Sequence, residues 1–328
     1  MAVHSITTAI DNLATTTLHR TRRQFADAVF KASKFAFFML AKGRVQTESG
    51  GLSIREPLIY GKNQTVKSYS GYDRLDVFPT EELTQAAYNW KLFAGTVSIS
   101  GDEELKNSGA EAILNLLKAK IMVANKSMKE QLNTYLVQTQ NFRNSKDFLS
   151  LDNLVEDVVG TSQSTVGGIN RATYTWWRNK FKAGSLASVT SEFRTFYNNV
   201  SEGMETPDLI FTNQETYEAY EDQNAGKLRL SDTSLMQVGF ENLRFKGATM
   251  MWDTSMSDTA IRDTATFAHQ CTYFLNTAYL RMVMHRQRQF VMSKFVQPYD
   301  QDARVAQILV AGNLTLANSR YQGALRLS

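Results

Sequence analysis

One long amphipathic helix constrains the fold more than any other feature of this 328-residue chain. From Ser100 to about Gln138 apolar side chains recur in steps of three and four residues, which is the helical period. They are Leu105, Ala110, Ile113, Leu114, Leu117, Ile121, Ala124, Met128, Leu132 and Leu136. Ser100 and Glu103 have capping-box spacing and predict the start of the helix, and residues 107–109 are its one weak point. At about 1.5 Å per residue it is roughly 50 Å long, so we predict a spine helix on which separate parts of the chain are mounted.

The chain before the spine helix predicts an arm and a hairpin. Residues 1–20 are small, polar and rich in threonine, which is typical of an extended arm. Residues 21–42 predict an amphipathic helix, with Gly43 as its C-terminal cap. Residues 52–99 favour extended structure, and turn signals at 61–63 and 70–73 divide it. The parity of the apolar residues changes near Gly95, which predicts a β-bulge.

The predicted hairpin is unusually polar and has no core of its own. Eight polar side chains lie between residues 60 and 82: Lys62, Asn63, Gln64, Lys67, Ser68, Ser70, Asp73 and Arg74. An isolated hairpin of this kind is poorly stable in water. We therefore predict that it lies on another molecule; a solvent-exposed hairpin on the same subunit is the alternative.

The chain after the spine helix alternates helices and strands, which predicts an α/β or α+β domain. An apolar stripe over 189–200 predicts a helix, and Pro207-Asp208 introduces a strand at 209–211. Thr212 and Glu215 have capping-box spacing and predict the next helix. Near the end, Gly312-Asn313 between two apolar runs predicts a hairpin that returns to pack beside the spine helix.

The search for catalytic chemistry is mostly negative. The chain has neither a GxxxxGK[ST] phosphate loop nor a GxGxxG motif. Its four histidines are not spaced as metal ligands: His4, His19, His269 and His285. Cys271 has no motif for an activating base. We predict no catalytic residues, no cofactor and no metal; an α/β enzyme that uses Cys271, His269 or the acidic clusters is the remaining alternative.

Positive charge is concentrated at the N-terminal end. Residues 1–44 hold seven Lys or Arg and two Asp, which gives this part a net charge of +5. The whole chain has a net charge of +4, so the remainder is near neutral at −1. A basic arm suits nucleic acid or an acidic partner, and a solvated helix face is the alternative. A second basic group could meet phosphate, although a solvated or interfacial face is the favoured interpretation: Arg281, His285, Arg286, Arg288 and Lys294. No apolar run approaches the roughly 20 residues of a membrane span, and the N-terminus lacks the layout of a signal peptide, which together predict a cytoplasmic origin.

The order of these parts resembles the major capsid proteins of tailed bacteriophages, which share the Hong Kong 97-type capsid fold. Short stretches also resemble one branch of that family: Pro57-Leu58-Ile59-Tyr60-Gly61, Ile99-Ser100-Gly101, residues 165–171, residues 207–212, residues 274–277 with Tyr279-Leu280, and residues 311–315. The resemblance implies an α+β fold with an N-terminal arm (1–50), an extended β-hairpin loop (51–99), a peripheral domain with the spine helix (100–164 and 286–328) and an axial domain (165–285).

The resemblance also implies a function and partners. The chain would form hexamers and pentamers of an icosahedral shell around double-stranded DNA, assembled in the host cytoplasm, with possible portal, scaffolding and decoration proteins. Since only a short arm precedes the body, a separate scaffolding protein, or none, is implied. Candidate contacts between subunits are Tyr60, Lys62, Lys67, Tyr69, Tyr72, Arg74 and Trp90, with Tyr88 as a further aromatic anchor.

The resemblance implies that the arm residues Arg20, Arg22 and Arg23 face the packaged DNA or a scaffold. Contact with DNA would be made to its backbone and would depend on salt. Two other functions stay open. An encapsulin-like compartment would enclose protein cargo instead of DNA, and a basic nucleic-acid-binding protein would carry its charge mainly in the arm.

Overall fold

A computed structural model describes residues 33–75, 77–78, 81–106, 110–137, 146–156, 165–224, 243–253, 256 and 270–327. The predicted DNA-facing residues Arg20, Arg22 and Arg23 lie outside these ranges, as do residues 107–109 and His269. Among the described residues no helix is both long and apolar enough to cross a membrane.

The fold mixes helices and strands, as predicted. The helices are α1 Lys34–Ala41, α2 Gly101–Lys106, α3 Ala110–Val137, α4 Leu151–Leu154, α5 Val189–Val200 and α6 Gln214–Asn224, with 3₁₀ turns at Thr175–Trp177 and Leu186–Ser188. The strands are β1 Val45–Glu48, β2 Ile54–Ile59, β3 Leu83–Tyr88, β4 Lys91–Ser100, β5 Thr165–Val166, β6 Ile169–Asn170, β7 Lys180–Gly184, β8 Leu209–Thr212, β9 Leu243–Phe245, β10 Ala248–Trp252, β11 Gln270–Leu275, β12 Leu280–His285, β13 Val291–Met292, β14 Ala303–Leu316 and β15 Gly323–Leu327.

Two sheets organise the described chain. In the five-stranded sheet the order is β1-β12-β14-β13, and all of β4 pairs with residues 303–312 of β14. The six-stranded sheet has the order β7-β15-β11-β8-β10-β9. Strands β2 and β3 form a separate antiparallel hairpin, and β5 and β6 form a short one.

The spine helix occurs as α2 and α3. The predicted capping box is confirmed: Glu103 N–H donates to Ser100 Oγ at 3.2 Å, and Ser100 N–H donates to the Glu103 carboxylate at 3.2 Å. With 28 residues, α3 is about 42 Å long. Buried side chains of α3, such as Met128 and Leu132, join the main core.

Helix α1 confirms the C-terminal part of the predicted N-terminal helix. Ser33 caps its first turn, and Gly43 follows its end with φ +66°, a left-handed conformation that glycine adopts without a Cβ penalty. Phe35 and Phe38 are fully buried, and the Phe35 ring lies 5.6 Å from that of Phe211 in β8. The aromatic side chains of α1 are therefore core residues of this chain.

The predicted bulge at Gly95 is wrong. Strand β4 keeps one register against β14 from Ser100 opposite Ala303 to Lys91 opposite Gly312. Gly95 faces α3, where an added Cβ would lie 3.0 Å from Met128 Sδ. Glycine permits the helix to approach the strand here, and the apparent change of parity arises because Leu92 lies on the exposed face.

The predicted hairpin at Gly312-Asn313 is also wrong, because both residues lie inside the continuous strand β14. An added Cβ on Gly312 would lie 2.6 Å from the Val283 carbonyl oxygen, so glycine permits close pairing with β12. The Asn313 side chain donates to the Asn89 carbonyl oxygen and accepts from Leu149 N–H, both at 2.9 Å. Tertiary contacts use these two residues where a turn was predicted.

The start of α6 is shifted by one residue from the prediction. Asn213 Oδ1 accepts from Thr216 N–H at 3.1 Å and supplies the cap. Thr212 remains in β8, where its hydroxyl lies 2.8 Å from that of Thr272 in β11. Thr212 therefore bonds a neighbouring strand instead of capping the helix, which is the role that the sequence pattern predicted.

The sheets cross two of the predicted domain boundaries. Strand β12, predicted within the axial region, pairs with β14 in the five-stranded sheet, and β15, predicted with the spine helix, lies in the six-stranded sheet. The chain therefore passes between the sheets at residues 276–279 and again at 317–322. The sheet to which β12 and β15 each belong is decided by pairing with strands that are distant in sequence.

Candidate assembly surface

Exposed apolar side chains are concentrated in the hairpin region. More than half of the exposed large hydrophobic residues in the described chain fall between residues 52 and 92: Leu52, Ile59, Tyr60, Val66, Tyr69, Tyr72, Leu75, Val77, Phe78, Leu83 and Leu92. Monomeric soluble proteins seldom expose contiguous apolar patches larger than a few hundred Å². This region is therefore the candidate interaction surface of the chain.

Strands β2 and β3 form a two-faced hairpin. Their antiparallel register runs from Ile54 opposite Tyr88 to Ile59 opposite Leu83. Ile54 and Tyr88 are buried, whereas the Ile59 and Leu83 side chains are 77% and 74% exposed and face each other across the strands. Sequence reasoning did not single out this exposed pair, although alternation along β2 would have indicated it, since Ile59 has the parity of the exposed Arg55 and Pro57.

The inner face of the hairpin is anchored to the five-stranded sheet. The Glu56 carboxylate is 2.9 Å from Arg281 Nη1 and accepts from Thr315 Oγ1 at 2.9 Å. Tyr88 donates its hydroxyl to the Leu316 carbonyl oxygen at 2.8 Å, and burial raises the pKa of that hydroxyl far above its usual value. Because Tyr88 is buried, the expectation that it anchors a neighbouring subunit is wrong.

Tyr60 N–H donates to the Glu82 carbonyl oxygen at 3.0 Å, and beyond Tyr60 the hairpin extends without strand pairing among its described residues. The two predicted turns are held by side chains: Asn63 Oδ1 accepts from Thr65 N–H at 2.8 Å, and the Asp73 carboxylate accepts from Ser70 N–H at 2.8 Å. Tyr69 is 65% exposed and Tyr72 is fully exposed.

The predicted cationic contacts share this tip: Lys62, Lys67 and Arg74 are all exposed. The tip therefore combines apolar, aromatic and positively charged side chains outside the protein core.

Two predicted contact residues make contacts inside the chain. The Tyr60 ring stacks on that of Trp176 with centroids 5.1 Å apart. Trp90 Nε1 donates to the Gly51 carbonyl oxygen at 2.9 Å, and its ring meets the edge of His285 at 5.4 Å. These aromatic side chains hold the base of the hairpin, so the exposed tip retains Tyr69 and Tyr72.

The basic group around β12 does not converge on a single anion site. Arg281 is paired with the buried Glu56, and His285 packs against Trp90 while its Nδ1 accepts from Gln287 N–H at 3.1 Å. Arg286 and Arg288 lie on the exposed turn that follows β12. This arrangement agrees with the favoured interpretation of an interfacial or solvated face.

The described residues contain no cluster of three or more His, Cys, Asp or Glu side chains that could hold a metal ion. Cys271 is buried in β11. Glu103 serves the helix cap and is 2.5 Å from Lys120 Nζ, whose hydrogen bond holds the pKa of that carboxyl below its usual value. Helix capping and ion pairing therefore explain the position of the Glu103 carboxyl without a catalytic role.

Solved capsid and encapsulin structures have a similar fold. A Cyanophage A-1(L) capsid protein has a TM-score of 0.59 at 14% identity, with 87% of this chain and 89% of that chain covered. The capsid protein of a native GTA particle has a TM-score of 0.56 at 10% identity, covering 91% and 90%. The SrpI encapsulin of Synechococcus elongatus PCC 7942 has a TM-score of 0.54 at 9% identity, covering 88% and 86%.

No protein-family model matches the chain, and no curated protein matches it in sequence. These three matches cover between 87% and 91% of this chain. The chain has the Hong Kong 97-type capsid fold.

Proposed function

We propose that this chain is the major capsid protein of a tailed bacteriophage, which self-assembles into hexamers and pentamers of an icosahedral shell around double-stranded DNA. The observation that carries the proposal is the hairpin. Its base is buried in the chain's own core through Glu56 and Tyr88, while its tip exposes Tyr69 and Tyr72 in water. A firmly anchored base with an uncovered apolar tip supports contact with another copy.

The composition of the tip supports a protein partner. Aromatic residues and arginine are the side chains that contribute most binding energy in protein interfaces, and Tyr69, Tyr72 and Arg74 lie within six residues of one another. Lys62 and Lys67 add charge at the rim, where charged groups favour correct orientation more than affinity. We propose these five residues as contacts between subunits.

The proposal includes further partners and a location. Portal, scaffolding and decoration proteins would meet the assembled shell, which belongs to the virion and forms in the host cytoplasm. The basic residues Arg20, Arg22 and Arg23 would contact the DNA backbone without reading its sequence, so this contact would weaken as salt rises. In this function the chain is a structural protein and not an enzyme.

An encapsulin-like compartment is the second candidate, because the SrpI encapsulin has the same architecture with a TM-score of 0.54. The two functions differ in the contents of the shell. Nuclease-protected DNA inside purified particles would support the capsid proposal, whereas a co-purified enzyme would support the compartment.

Deletion of residues 62–74 tests the role of the hairpin. We expect a folded subunit by circular dichroism, because the described contacts of this segment with the core are few, and a loss of shells, tubes and capsomer rings in negative-stain electron microscopy. Normal shells from the deletion variant would refute the role of the hairpin in assembly.

A finer version of the test compares two tyrosine variants. Tyr69→Ala with Tyr72→Ala should impair assembly, whereas Tyr299→Ala, at a fully exposed tyrosine outside the hairpin, serves as the matched control. Equal assembly of the tip variant and the unmodified chain would count against these two tyrosines as contacts.

A further inference from the structure

Residues 165–171 belong to the family resemblance in sequence, but the proposed function gives them no role. They contain the short hairpin of β5 and β6, which is joined by Gly167 and Gly168 with φ of +61° and +78°. A two-residue turn of this kind needs left-handed backbone at both positions, which glycine adopts without strain. The 3₁₀ turn at Thr175–Trp177 follows it. Both turns contact the long hairpin of β2 and β3.

The glycine turn contacts the outer edge of β3. Ala87 N–H donates to the Gly167 carbonyl oxygen at 2.9 Å. An added Cβ on Gly167 would lie 2.7 Å from the Ala86 Cβ, whereas an added Cβ on Gly168 would meet nothing within 4 Å. The close approach of the turn to β3 therefore depends on Gly167 and not on its neighbour.

The Trp176 side chain contacts the hairpin at its far end. Its ring stacks on the Tyr60 ring, with centroids 5.1 Å apart and 25° between the planes. Tyr60 N–H and the Glu82 carbonyl oxygen form the last bond between the two strands before the tip, among the described residues. The stack therefore lies where the tip leaves the body of the subunit.

The 165–178 segment is itself fixed to the core. Arg171 is fully buried and donates from Nη2 to Ser319 Oγ at 2.8 Å and to the Leu154 carbonyl oxygen. Trp177 is 1% exposed and donates from Nε1 to the Val166 carbonyl oxygen at 3.0 Å. These bonds join the segment to α4 and to the connection between β14 and β15. A segment held in this way can define the position of the hairpin that it contacts.

We propose that Gly167 and Trp176 are positioning residues, which set the direction in which the hairpin tip leaves the subunit. Glu56 and Tyr88 hold the hairpin near its start, and the stack on Tyr60 holds it four residues further along the chain from Glu56. At about 3.3 Å per residue, loss of the stack would lengthen the part of the hairpin that can pivot by about 13 Å. The consequence for assembly rests on the proposed function, since a tip that contacts another copy must point toward it.

Distances between two spin labels in the full chain provide the first test. Ser68→Cys in the tip and Lys126→Cys on α3 place both labels at exposed positions, while the native Cys271 is 2% exposed and does not compete for the label. An excess of unlabelled chain ensures that pulsed double resonance measures distances within one chain, whether or not shells form. Gly167→Ala should shift the mean distance, because the displacement of β3 is magnified along the hairpin.

Gly168→Ala is the matched control for this shift. It imposes a similar left-handed strain on the turn but adds no contact with β3, so the distance distribution should stay that of the unmodified chain. If the proposal is wrong and the turn matters only for stability, the two glycine variants should give equal distributions. That result would overturn the proposal.

Two variants of Trp176 provide the second test with the same labels. Trp176→Ala should widen the distance distribution by roughly 5 Å or more, a part of the ~13 Å by which the pivoting length grows. Trp176→Phe keeps a ring to stack on Tyr60 and should restore the native width. Thermal unfolding followed by circular dichroism measures the stability of each variant. A Trp176→Ala variant that loses stability but keeps the native width would overturn the proposal.

An assembly assay separates this inference from the proposed function. In negative-stain electron microscopy Gly167→Ala should form fewer normal shells than Gly168→Ala, although every residue of the tip is unchanged. Shifted distances together with equal yields of normal shells would refute the role of the hairpin in assembly and would support the positioning role alone.

Discussion

Replacing Glu56 by glutamine should loosen the base of the hairpin. The Glu56 side chain is only 4% exposed, and it joins β2 to β12 through Arg281 and to β14 through Thr315, each at 2.9 Å. Glutamine keeps the shape and can still accept from Thr315, but it removes the negative charge that faces Arg281.

The expected cost follows from the exposure of the two partners. Breaking a fully buried ion pair costs about 3–5 kcal/mol, because one charge remains uncompensated. The Arg281 side chain is 35% exposed and can turn partly to water. Together with the retained hydrogen bond from Thr315, this lowers the expected loss in free energy of unfolding to about 2 kcal/mol.

Urea unfolding of four proteins would measure this effect. They are the unmodified chain, Glu56→Gln, Arg281→Met and the double variant, and we expect a coupling free energy of about 1 kcal/mol between the two positions. Arg55→Gln is the matched control, because Arg55 is its exposed neighbour in β2. A loss below about 0.5 kcal/mol for Glu56→Gln, the range of ordinary surface substitutions, would refute the reasoning.

Two further predictions concern the sheets and the pH dependence of stability. Gly312→Val should lower the free energy of unfolding by about 2–3 kcal/mol in a urea titration, because the new Cβ would overlap the Val283 carbonyl oxygen of β12. Gly71→Ala is the control and should leave the stability unchanged, because Gly71 has open space around it. Equal stability of the two variants would contradict this prediction. Burial raises the pKa of Glu202, but its hydrogen bonds with Arg320 and Lys180 outweigh burial and hold that pKa below the usual value. The contribution of Glu202 to folding stability is therefore complete above the unfolded-state pKa, and it is lost as pH falls through the folded-state pKa. The stability of Glu202→Gln should therefore fall less steeply on acidification in thermal unfolding, and identical acid profiles would argue against this role.

Much of the fold could be predicted because its signals are local. The capping box at Ser100 and Glu103, the glycine cap at Gly43 and the helical stripe of α5 each depend on residues a few positions apart, and all three occur as predicted. The polarity of residues 60–82 likewise indicated a hairpin tip without a core of its own.

The candidate site was only partly predictable. Tyr69 and Tyr72 were identified from residue type and are exposed, but Tyr60 and Trp90 turned out to pack within the chain. Residue type alone does not distinguish an aromatic side chain that anchors a neighbour from one that anchors its own hairpin. That distinction depends on Trp176 and Gly51, whose positions are set by the tertiary structure.

By itself the sequence determined the spine helix, the hairpin and the order of the elements, because helical and strand periodicity act between near neighbours. The capsid fold was implied by the resemblance of that order to a known family. Only the tertiary structure decided the roles of Gly95, Gly312 and Thr212, which the sequence pattern assigned to a bulge, a turn and a cap. Glycine permits a turn and a close approach equally well, and threonine can cap a helix or bond a neighbouring strand. The choice falls to partners distant in the chain: Met128, the carbonyl of Val283 and the hydroxyl of Thr272.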